Sequence, residues 1–276
     1  MNRNVPISYI KLLSNWYGKL FSSVRWEKEI SYSFSICAGV RQGGILSPVL
    51  FAIFVDSVLD KLSVCKLGCH LRSVCVNSFT YADDLILLAI SLCDLQRMIN
   101  ICVTEFDGIG LSINSNKSAC IRIGPRHSAE VDLLVIKNAL VSWKKELPYL
   151  GINILGGKHF QVKFQKTKQK YYRALNSIIG KVGLNSQPLV LLSLIQSCCI
   201  PILLHGAEAV NWTNKMSDSI DNAYSNAYMK IFHTFNKGII KSCQFNFGHL
   251  PMMCEIGVRR LNFLTKLTKF KTNVII

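Results

Sequence analysis

The chain has 276 residues, half of them hydrophobic, and a formal net charge of +16 from 32 Lys and Arg against 16 Asp and Glu. This hydrophobic share excludes a disordered chain and allows one large domain or two modest ones. The excess of positive charge indicates a polyanionic partner, most simply nucleic acid, because each phosphate that a cationic side chain neutralises releases condensed counterions.

An anionic membrane surface would suit the same charge, and the mean hydropathy is +0.27. The longest apolar run, Leu189 to Leu204, contains Gln196 and Pro201 and is shorter than the roughly 20 residues of a spanning helix, so we expect no membrane segment. The N-terminal residues have no continuous apolar stretch of the signal-peptide kind. Together with the scattered cysteines, eleven in all, this predicts an intracellular protein with reduced thiols.

The first elements can be predicted from hydrophobic spacing. Residues 5–21 have helical spacing, and we expect this helix to pack on the sheet that follows. Residues 30–40 alternate loosely and predict a strand that leads into a glycine-rich turn. Ser47 and Pro48 are typical of a helix start, with Ser47 as the N-cap, and apolar residues continue at helical spacing to about Gly68.

The stretch from Phe79 to Ala89 places two adjacent carboxylates, Asp83 and Asp84, between two apolar, strand-like runs. Asp is depleted from strands, and a charged group resists burial unless it is paired or bound to metal. A tight hairpin that presents this pair from a hydrophobic sheet therefore predicts a buried acidic pair that binds a divalent cation. Ordinary turn chemistry is the alternative, and this motif alone leaves it open.

Helices are predicted for most of the remaining chain. Ser91 opens one helix as a capping residue, and glycines end it at 108 and 110. Residues 175–236 are predicted to be all-helical, with Pro188 opening one helix and Gly206 interrupting the pattern after another. Between them lies a basic segment interleaved with aromatic residues, which fits either a solvated helix face or a surface for a nucleic-acid backbone. Its main cationic members are Lys163, Lys166, Lys168, Lys170 and Arg173.

Five blocks occur in an order that resembles the reverse transcriptases of non-LTR, long interspersed retroelements. The resemblance covers about residues 5 to 236 and implies an α+β fold: a polymerase palm, which is an antiparallel sheet with packed helices, followed by an α-helical thumb. We expect residues 1–157 to be a partial palm, residues 158–240 a thumb-like region, and residues 241–276 a segment of unknown role. The blocks are Tyr81–Asp84, Gly39–Phe51, Gly110–Ser118, Leu147–Ile152 and Leu194–Glu208.

The resemblance also implies an activity, RNA-directed DNA polymerisation, in which two Mg²⁺ ions support nucleotidyl transfer onto a primer 3′ end. Its partners would be an RNA template, a DNA primer and dNTP. Asp83 and Asp84 would bind metal and act in catalysis together with Lys117. The alternative for Lys117 is an ordinary solvated lysine in a turn. The other implied roles are nucleotide binding by Arg41, Gln42, Gly43 and Tyr81, primer positioning by Tyr149, Leu150 and Gly151, and backbone contact by the five cationic residues named above.

One motif of the family has no counterpart in this sequence. A further metal-binding Asp normally comes from an earlier palm strand, within a pattern like Asp-x-x-Lys-Ala-Phe-Asp, and no such pattern precedes Gly39. By the same resemblance a basic fingers region comes before the palm, and we expect it to be missing here as well. We therefore expect an N-terminally truncated fragment without the fingers and the first palm strand, inactive alone because the first catalytic Asp is absent. The alternative is a non-catalytic retroelement remnant that at most binds nucleic acid.

Overall fold

A computed structural model describes residues 5–72 and 74–270 of the chain. Over these ranges α-helices and short β-strands mix, as the predicted α+β class requires. The helices are α1 Ile7–Tyr17, α2 Ser47–Val64, α3 Leu92–Gly108, α4 Gln165–Val182, α5 Pro188–Leu194, α6 Ile200–Leu203, α7 Asn214–Phe232, α8 Lys237–Asn246 and α9 Met252–Phe270. The strands are β1 Phe21–Ser22, β2 Arg25–Trp26, β3 Glu29–Ile30, β4 Phe34–Ser35, β5 Cys69–Leu71, β6 Val74–Val76, β7 Ser78–Tyr81, β8 Asp84–Leu87, β9 Ala119–Cys120, β10 Leu134–Ile136, β11 Ala139–Trp143, β12 Glu146–Tyr149, β13 Ile152–Leu155 and β14 Gln161–Val162.

The described strands form small separate sheets rather than the one antiparallel sheet that the resemblance implied. Four pairs stand alone, β1 with β4, β2 with β3, β5 with β6 and β7 with β8. Two sheets have three strands, in the orders β10-β11-β9 and β12-β13-β14, and only β11 with β9 is a parallel pair. Tight turns join several of the strand pairs, and some of these turns hold a non-glycine residue at positive φ, such as Lys137 between β10 and β11 and Leu150 between β12 and β13.

The described N-terminal residues, 5–46, do not join the core. None of them is buried, and α1 has no buried residue, so the prediction that α1 packs on a sheet is wrong. The predicted strand over residues 30–40 is reduced to β3 and β4, of two residues each. Apolar residues alternate there, but most of them stay exposed, with Ile30 at 66%, Tyr32 at 98% and Phe34 at 51%.

The helices α2 and α3 pack together and form the first hydrophobic cluster, around Val58, Leu62, Met98 and Cys102. The start of α3 confirms the predicted cap, because the Ser91 hydroxyl oxygen accepts from the backbone N–H of Asp94 at 3.1 Å. The predicted cap of α2 is wrong. Ser47 is the first helical residue, and its hydroxyl instead donates to the carbonyl of Arg41 at 2.6 Å.

A larger hydrophobic cluster joins β13, β14 and the helices from α4 onward. It extends from Val162 to Ile256, and Ile152 of β13 packs against it. A π-helical segment, Ile195–Cys199, links α5 to α6, and Pro201 follows it. No helix in residues 5–72 or 74–270 has the length and apolar character that a membrane crossing needs.

A chain of hydrogen bonds runs through the helical cluster. Gln196 donates from Nε2 to the Tyr224 hydroxyl at 3.0 Å, and the hydroxyls of Tyr224 and Tyr228 lie 3.0 Å apart. Tyr228 then bonds to Nδ1 of His249, in the loop before α9. Burial raises the pKa of both phenols and lowers that of His249, because each buried group favours its neutral form.

Candidate functional site

Asp83 and Asp84 lie at the turn of the hairpin formed by β7 and β8. Tyr81 pairs with Asp84, so Ala82 and Asp83 form a two-residue turn. Ala82 has a φ of 52°, a left-handed conformation that two-residue hairpin turns need and that costs an L-residue about 1 kcal/mol or more. The predicted hairpin is therefore confirmed, and it holds the acidic pair at its tip.

The register of this hairpin decides which way Asp84 faces. Residues opposite one another in an antiparallel pair point to the same face, so Asp84 lies on the face of Tyr81 and Phe79, which are 64% and 50% exposed. Leu85 and Leu87 pack against the cluster of α2 and α3. Both aspartates are exposed, so the predicted burial of the pair is wrong: the register turns Asp84 to the open face and Asp83 belongs to the turn.

Asn77 attaches the base of the hairpin to the end of α2. Its buried side-chain amide donates to the carbonyls of Leu62 at 2.6 Å and of Leu67 at 3.0 Å. The backbone of Leu88 donates to the Asn77 carbonyl at 2.7 Å. Gly68 makes this approach possible, because a Cβ there would lie 2.5 Å from the Leu88 carbonyl oxygen. The hairpin is thus fixed at its base, and its acidic tip is left open.

The residues predicted to position a primer form a second hairpin turn. Tyr149 pairs with Ile152, and Leu150 and Gly151 between them have φ values of 44° and 85°, as in a type I′ turn. Burial, and after it the negative charge of Asp84, raises the pKa of Tyr149. The carboxylate of Asp84 therefore lies within electrostatic reach of the Tyr149 phenol.

The predicted nucleotide-binding loop is a β-turn directly before α2. The backbone N–H of Gly44 donates to the Arg41 carbonyl at 3.1 Å, and Gly43 has a φ of 78°, as in a type II turn. Arg41 and Gln42 are exposed. Within the described residues this turn is hydrogen-bonded to Ser47 and makes no hydrogen bond to the β7–β8 hairpin.

Lys117 lies in an exposed turn that starts at Asn114. The backbone N–H of Lys117 donates to the Asn114 carbonyl at 3.2 Å and to its side-chain oxygen at 3.1 Å. Its side chain is exposed, and across the described ranges no hydrogen bond joins it to the aspartates. The structure thus gives Lys117 a defined backbone and leaves its ammonium group in solvent.

The predicted backbone-binding cations divide into two groups, and the first is already engaged within the protein. Lys163 pairs with Glu146 at 3.1 Å, between the start of α4 and β12. Lys168 donates to the hydroxyl of Ser219 on α7 at 2.6 Å, in partly buried surroundings. Lys168 therefore links α4 to α7, and Lys163 is occupied by an exposed ion pair.

The second group lies on the exposed face of α4. Lys166, Lys170 and Arg173 are spaced i, i+4 and i+7 and share one side of the helix, opposite buried Tyr171. Lys166 also approaches Glu146 to 3.9 Å, an exposed pair worth little in energy. This face is a row of cations open to a large ligand.

The acidic pair suits Mg²⁺ in kind, because exposed carboxylate oxygens are the hard ligands that this ion prefers. In the part of the chain that the structure describes, no three His, Cys, Asp or Glu side chains come together as a metal-binding group. The hairpin therefore offers two carboxylates, and phosphate oxygens or further protein ligands would have to complete a coordination shell.

Sequence reasoning missed two residues that shape this site. Asn77 stands between two apolar strands, and a polar residue at the base of a hairpin is the signal that could have found it. His205 lies inside the recognised block Leu194–Glu208 but received no role. Its Nε2 lies 2.8 Å from the carbonyl oxygen of Leu150, in the turn of the second hairpin.

Comparison with known proteins places these features in a family. The profile of the family described as reverse transcriptase (RNA-dependent DNA polymerase) matches residues 3–154, more than half of the chain. The Retrovirus-related Pol polyprotein from type-2 retrotransposable element R2DM of Drosophila melanogaster is 28% identical over 158 residues, which cover 54% of this chain and 15% of that protein.

Two further relatives carry the name Retrovirus-related Pol polyprotein from type-1 retrotransposable element R2. The protein of Bradysia coprophila is 29% identical over 150 residues, 54% of this chain and 17% of that protein. The protein of Popillia japonica is 25% identical over 203 residues, 71% of this chain and 32% of that protein. The chain thus spans less than a third of the length of these curated relatives. By its profile match and these relatives, the chain belongs to the reverse transcriptase family, in the group encoded by non-LTR retrotransposons.

Proposed function

We propose that the chain forms palm and thumb portions of an RNA-directed DNA polymerase, with residues 1–157 as palm and 158–240 as thumb. We do not assign a fingers region to the chain, and we propose no role for residues 241–276. One observation supports this most: Asp84 shares an open face with Tyr81, and its charge acts on Tyr149 of the second hairpin. An acidic pair beside exposed aromatic rings suits metal-bound phosphates next to stacked bases.

Asp83 would hold the metal ions, and Asp84 would lie nearer the primer terminus. When bound, two Mg²⁺ ions stabilise the attacking and leaving oxygens of an in-line displacement at phosphorus. Lys117, exposed on its turn, donates a proton to the leaving pyrophosphate or balances its charge. Tyr149 and the Leu150–Gly151 turn hold the primer end.

The incoming dNTP contacts the turn before α2 and Tyr81. Gly43 lets the backbone approach a ligand closely, and the amide of Gln42 can both donate and accept hydrogen bonds. Arg41 supplies positive charge for phosphate oxygens. The template and primer run along the exposed face of α4, and the protein acts inside the cell, where such nucleic acids occur.

The metal assignment can be tested with Mn²⁺ as a paramagnetic substitute for Mg²⁺. We expect Asp83→Asn to weaken Mn²⁺ binding to the complex of the chain with primer–template and dNTP by tenfold or more, on the order of the effect of losing a ligand contact. Asp84→Asn should weaken it less. Glu130→Gln, a change to an exposed carboxylate outside both hairpins, is the matched control. Equal Mn²⁺ affinity in all four proteins would overturn the assignment.

Nucleic-acid binding is tested on the exposed face of α4. Replacing Lys166, Lys170 and Arg173 together by Gln should weaken primer–template binding. It should also reduce the magnitude of the slope of the logarithm of the association constant against the logarithm of the salt concentration by roughly 3, about 1 for each lost phosphate contact. The control removes the same charge from α7 and α8 by changing Lys215, Lys237 and Lys241, all exposed, to Gln. Equal losses in both triple variants would mean that net charge alone, and not this face, binds the duplex.

A second candidate function is nucleic-acid binding without polymerisation. It is favoured by the acidic pair itself, because bridging two metal ions takes more carboxylate oxygens than two side chains comfortably provide. We accordingly propose that the chain alone extends no primer. Mg²⁺-dependent extension by the full chain that disappears on Asp83→Ala would overturn this and favour a complete polymerase site.

A further inference from the structure

The turn of the β12–β13 hairpin rests on the end of α6. Nε2 of His205 lies 2.8 Å from the carbonyl oxygen of Leu150, a residue 55 positions away in the sequence. A carbonyl oxygen only accepts, so Nε2 carries the hydrogen and the imidazole donates. This bond joins the segment after α6 to the turn that directly follows Tyr149.

The hairpin turn and the segment around His205 pack closely against each other at two glycines. A Cβ at Gly151 would lie 3.0 Å from Nε2 of His205, so the imidazole covers this glycine directly. The next residue, Gly206, lies in the turn after α6 with a φ of 71°, and a Cβ there would lie 3.1 Å from Cγ2 of Ile152. Each of the two glycines leaves room for the opposite segment, and neither position accepts a side chain without movement.

The hairpin continues from this contact into the core. Ile152 packs against the large cluster that contains Leu203 and Leu204, at the end of the same α6 segment. On the other side of the turn, Glu146 of β12 pairs with Lys163 at the approach to α4. The hairpin is therefore held at its turn by His205 and through Ile152 at the large cluster, and the exposed Glu146–Lys163 pair lies at its base.

From these contacts we propose that His205 is a positioning residue for the primer end. By donating from Nε2 to the Leu150 carbonyl, it fixes the Leu150–Gly151 turn and with it the place of Tyr149 beside the acidic hairpin. The inference rests on the proposed function, because it takes this turn to be the part that meets the primer. His205 touches no reacting atom in this account, and it acts through the turn.

The first test measures hydrogen exchange of the amides in residues 147–155 of the full chain. Loss of one backbone-directed hydrogen bond in His205→Ala should speed exchange at the turn by about three- to tenfold. His205→Gln places an amide donor where Nε2 was and should restore slow exchange, whereas His205→Glu offers no donor and should not. His70→Ala, a change to an exposed histidine on β5, controls for loss of an imidazole. Unchanged exchange in His205→Ala, or fast exchange in His205→Gln, would overturn the role of the donor.

The second test separates this inference from the proposed function. A primer–template with 2-aminopurine at the primer 3′ end reports on the terminal base through its fluorescence. We expect His205→Ala to change that fluorescence in the bound state while duplex affinity stays within about twofold, with His205→Gln close to the wild type. An unchanged signal would exclude the primer role of the turn. A wild-type chain that binds no primer–template would refute the proposed function instead, and the exchange data would still decide whether His205 holds the turn.

Discussion

Asp84 illustrates how one register decides what a residue can do. Its neighbour Leu85 packs into the cluster of α2 and α3, and Asp84 points to the opposite face with Tyr81. A shift of the pairing by one position would exchange the two faces and bury the carboxylate, at a high cost in desolvation. The tight turn at Ala82 and Asp83 prevents such a shift and keeps Asp84 accessible.

The coupling of Asp84 to Tyr149 can be measured. Burial contributes most to the raised pKa of Tyr149, and the Asp84 charge contributes after it. Asp84→Asn removes only the second contribution, so the pKa of Tyr149 should fall but stay above its ordinary value. Fluorine NMR of the chain labelled with 3-fluorotyrosine, with Tyr149→Phe for assignment, gives the titration. A pKa of Tyr149 unaffected by Asp84→Asn would show that the hairpins lie too far apart to share a site.

Ala82 carries the backbone strain of the acidic turn. Gly adopts its φ of 52° freely, so Ala82→Gly should raise the free energy of unfolding by up to about 1 kcal/mol, after allowing for the greater freedom of glycine in the unfolded chain. The control, Ala52→Gly in the exposed part of α2, should lower it by about 1 kcal/mol. Urea unfolding of both variants gives the comparison, and a destabilised Ala82→Gly would contradict the strain argument.

Elements with a strong local signal could be predicted from the sequence, and elements that depend on distant partners could not. Ser91 caps α3 as its type and position predict, and Pro188 opens α5. The acidic hairpin was likewise predictable, since turn chemistry and apolar strands are local. The exposure of the pair was not, because it follows from which strand face α2 and α3 cover.

The bond from His205 to Leu150 had no local signal either, since its partners are far apart in sequence. The division of the basic segment into cations engaged within the protein and cations open to solvent likewise depends on residues that are distant in sequence. Lys168 is turned inward by Ser219 on a helix about 50 residues away in the sequence, whereas helical spacing alone groups Lys166, Lys170 and Arg173. Long-range contacts thus decide which members of a local pattern are available for binding.

The hydrogen-bonded chain from Gln196 to His249 makes the stability of the helical region depend on pH. With His249 neutral, Nδ1 can accept from Tyr228, Tyr228 from Tyr224, and Tyr224 from Gln196, so both tyrosine hydroxyl hydrogens find an acceptor. Protonation of Nδ1 would reverse this order and leave the Tyr224 hydroxyl hydrogen without an acceptor in the chain.

Because burial lowers the pKa of His249, the unfolded chain takes up a proton near pH 6.5 while the folded chain does so only at lower pH. The stability that this histidine contributes is therefore present above about pH 6.5 and is lost as the pH falls through its folded pKa.

In His249→Asn the side-chain oxygen can still accept from Tyr228 and does not titrate. Urea unfolding at about pH 7.5 and about pH 5 should show a smaller loss of stability in this variant than in the wild type, with His70→Asn behaving as wild type. Equal losses in all three proteins would exclude His249 as the source.

At the scale of the whole molecule, the core is unevenly distributed. The large cluster between Val162 and Ile256 holds most of the buried apolar residues, whereas described residues 5–46 contribute none. Local stability follows buried apolar contact, so the N-terminal segment should open far more readily than the helical region.

Limited trypsin digestion tests this difference. The first cleavages should fall after Lys19, Arg25, Lys28 or Arg41, all exposed, and before any cleavage between residues 162 and 256. Mass spectrometry of the early fragments identifies the sites. Early cleavage within α4 or α7 would mean that the helical cluster is not the most stable part of the chain.

The helix α2 also sets a distance. At one end Ser47 bonds to the Arg41 turn, and at the other end Asn77 bonds the acidic hairpin to the Leu62 carbonyl. Ser47 and Leu62 are 15 residues apart on this helix, which corresponds to about 23 Å, so α2 sets the separation between the two attachment points. One residue inserted or deleted within α2 would move the turn relative to the hairpin by about 1.5 Å and rotate it by about 100°. The number of residues in α2, and not only their identity, is therefore a constraint that any variant of this protein has to respect.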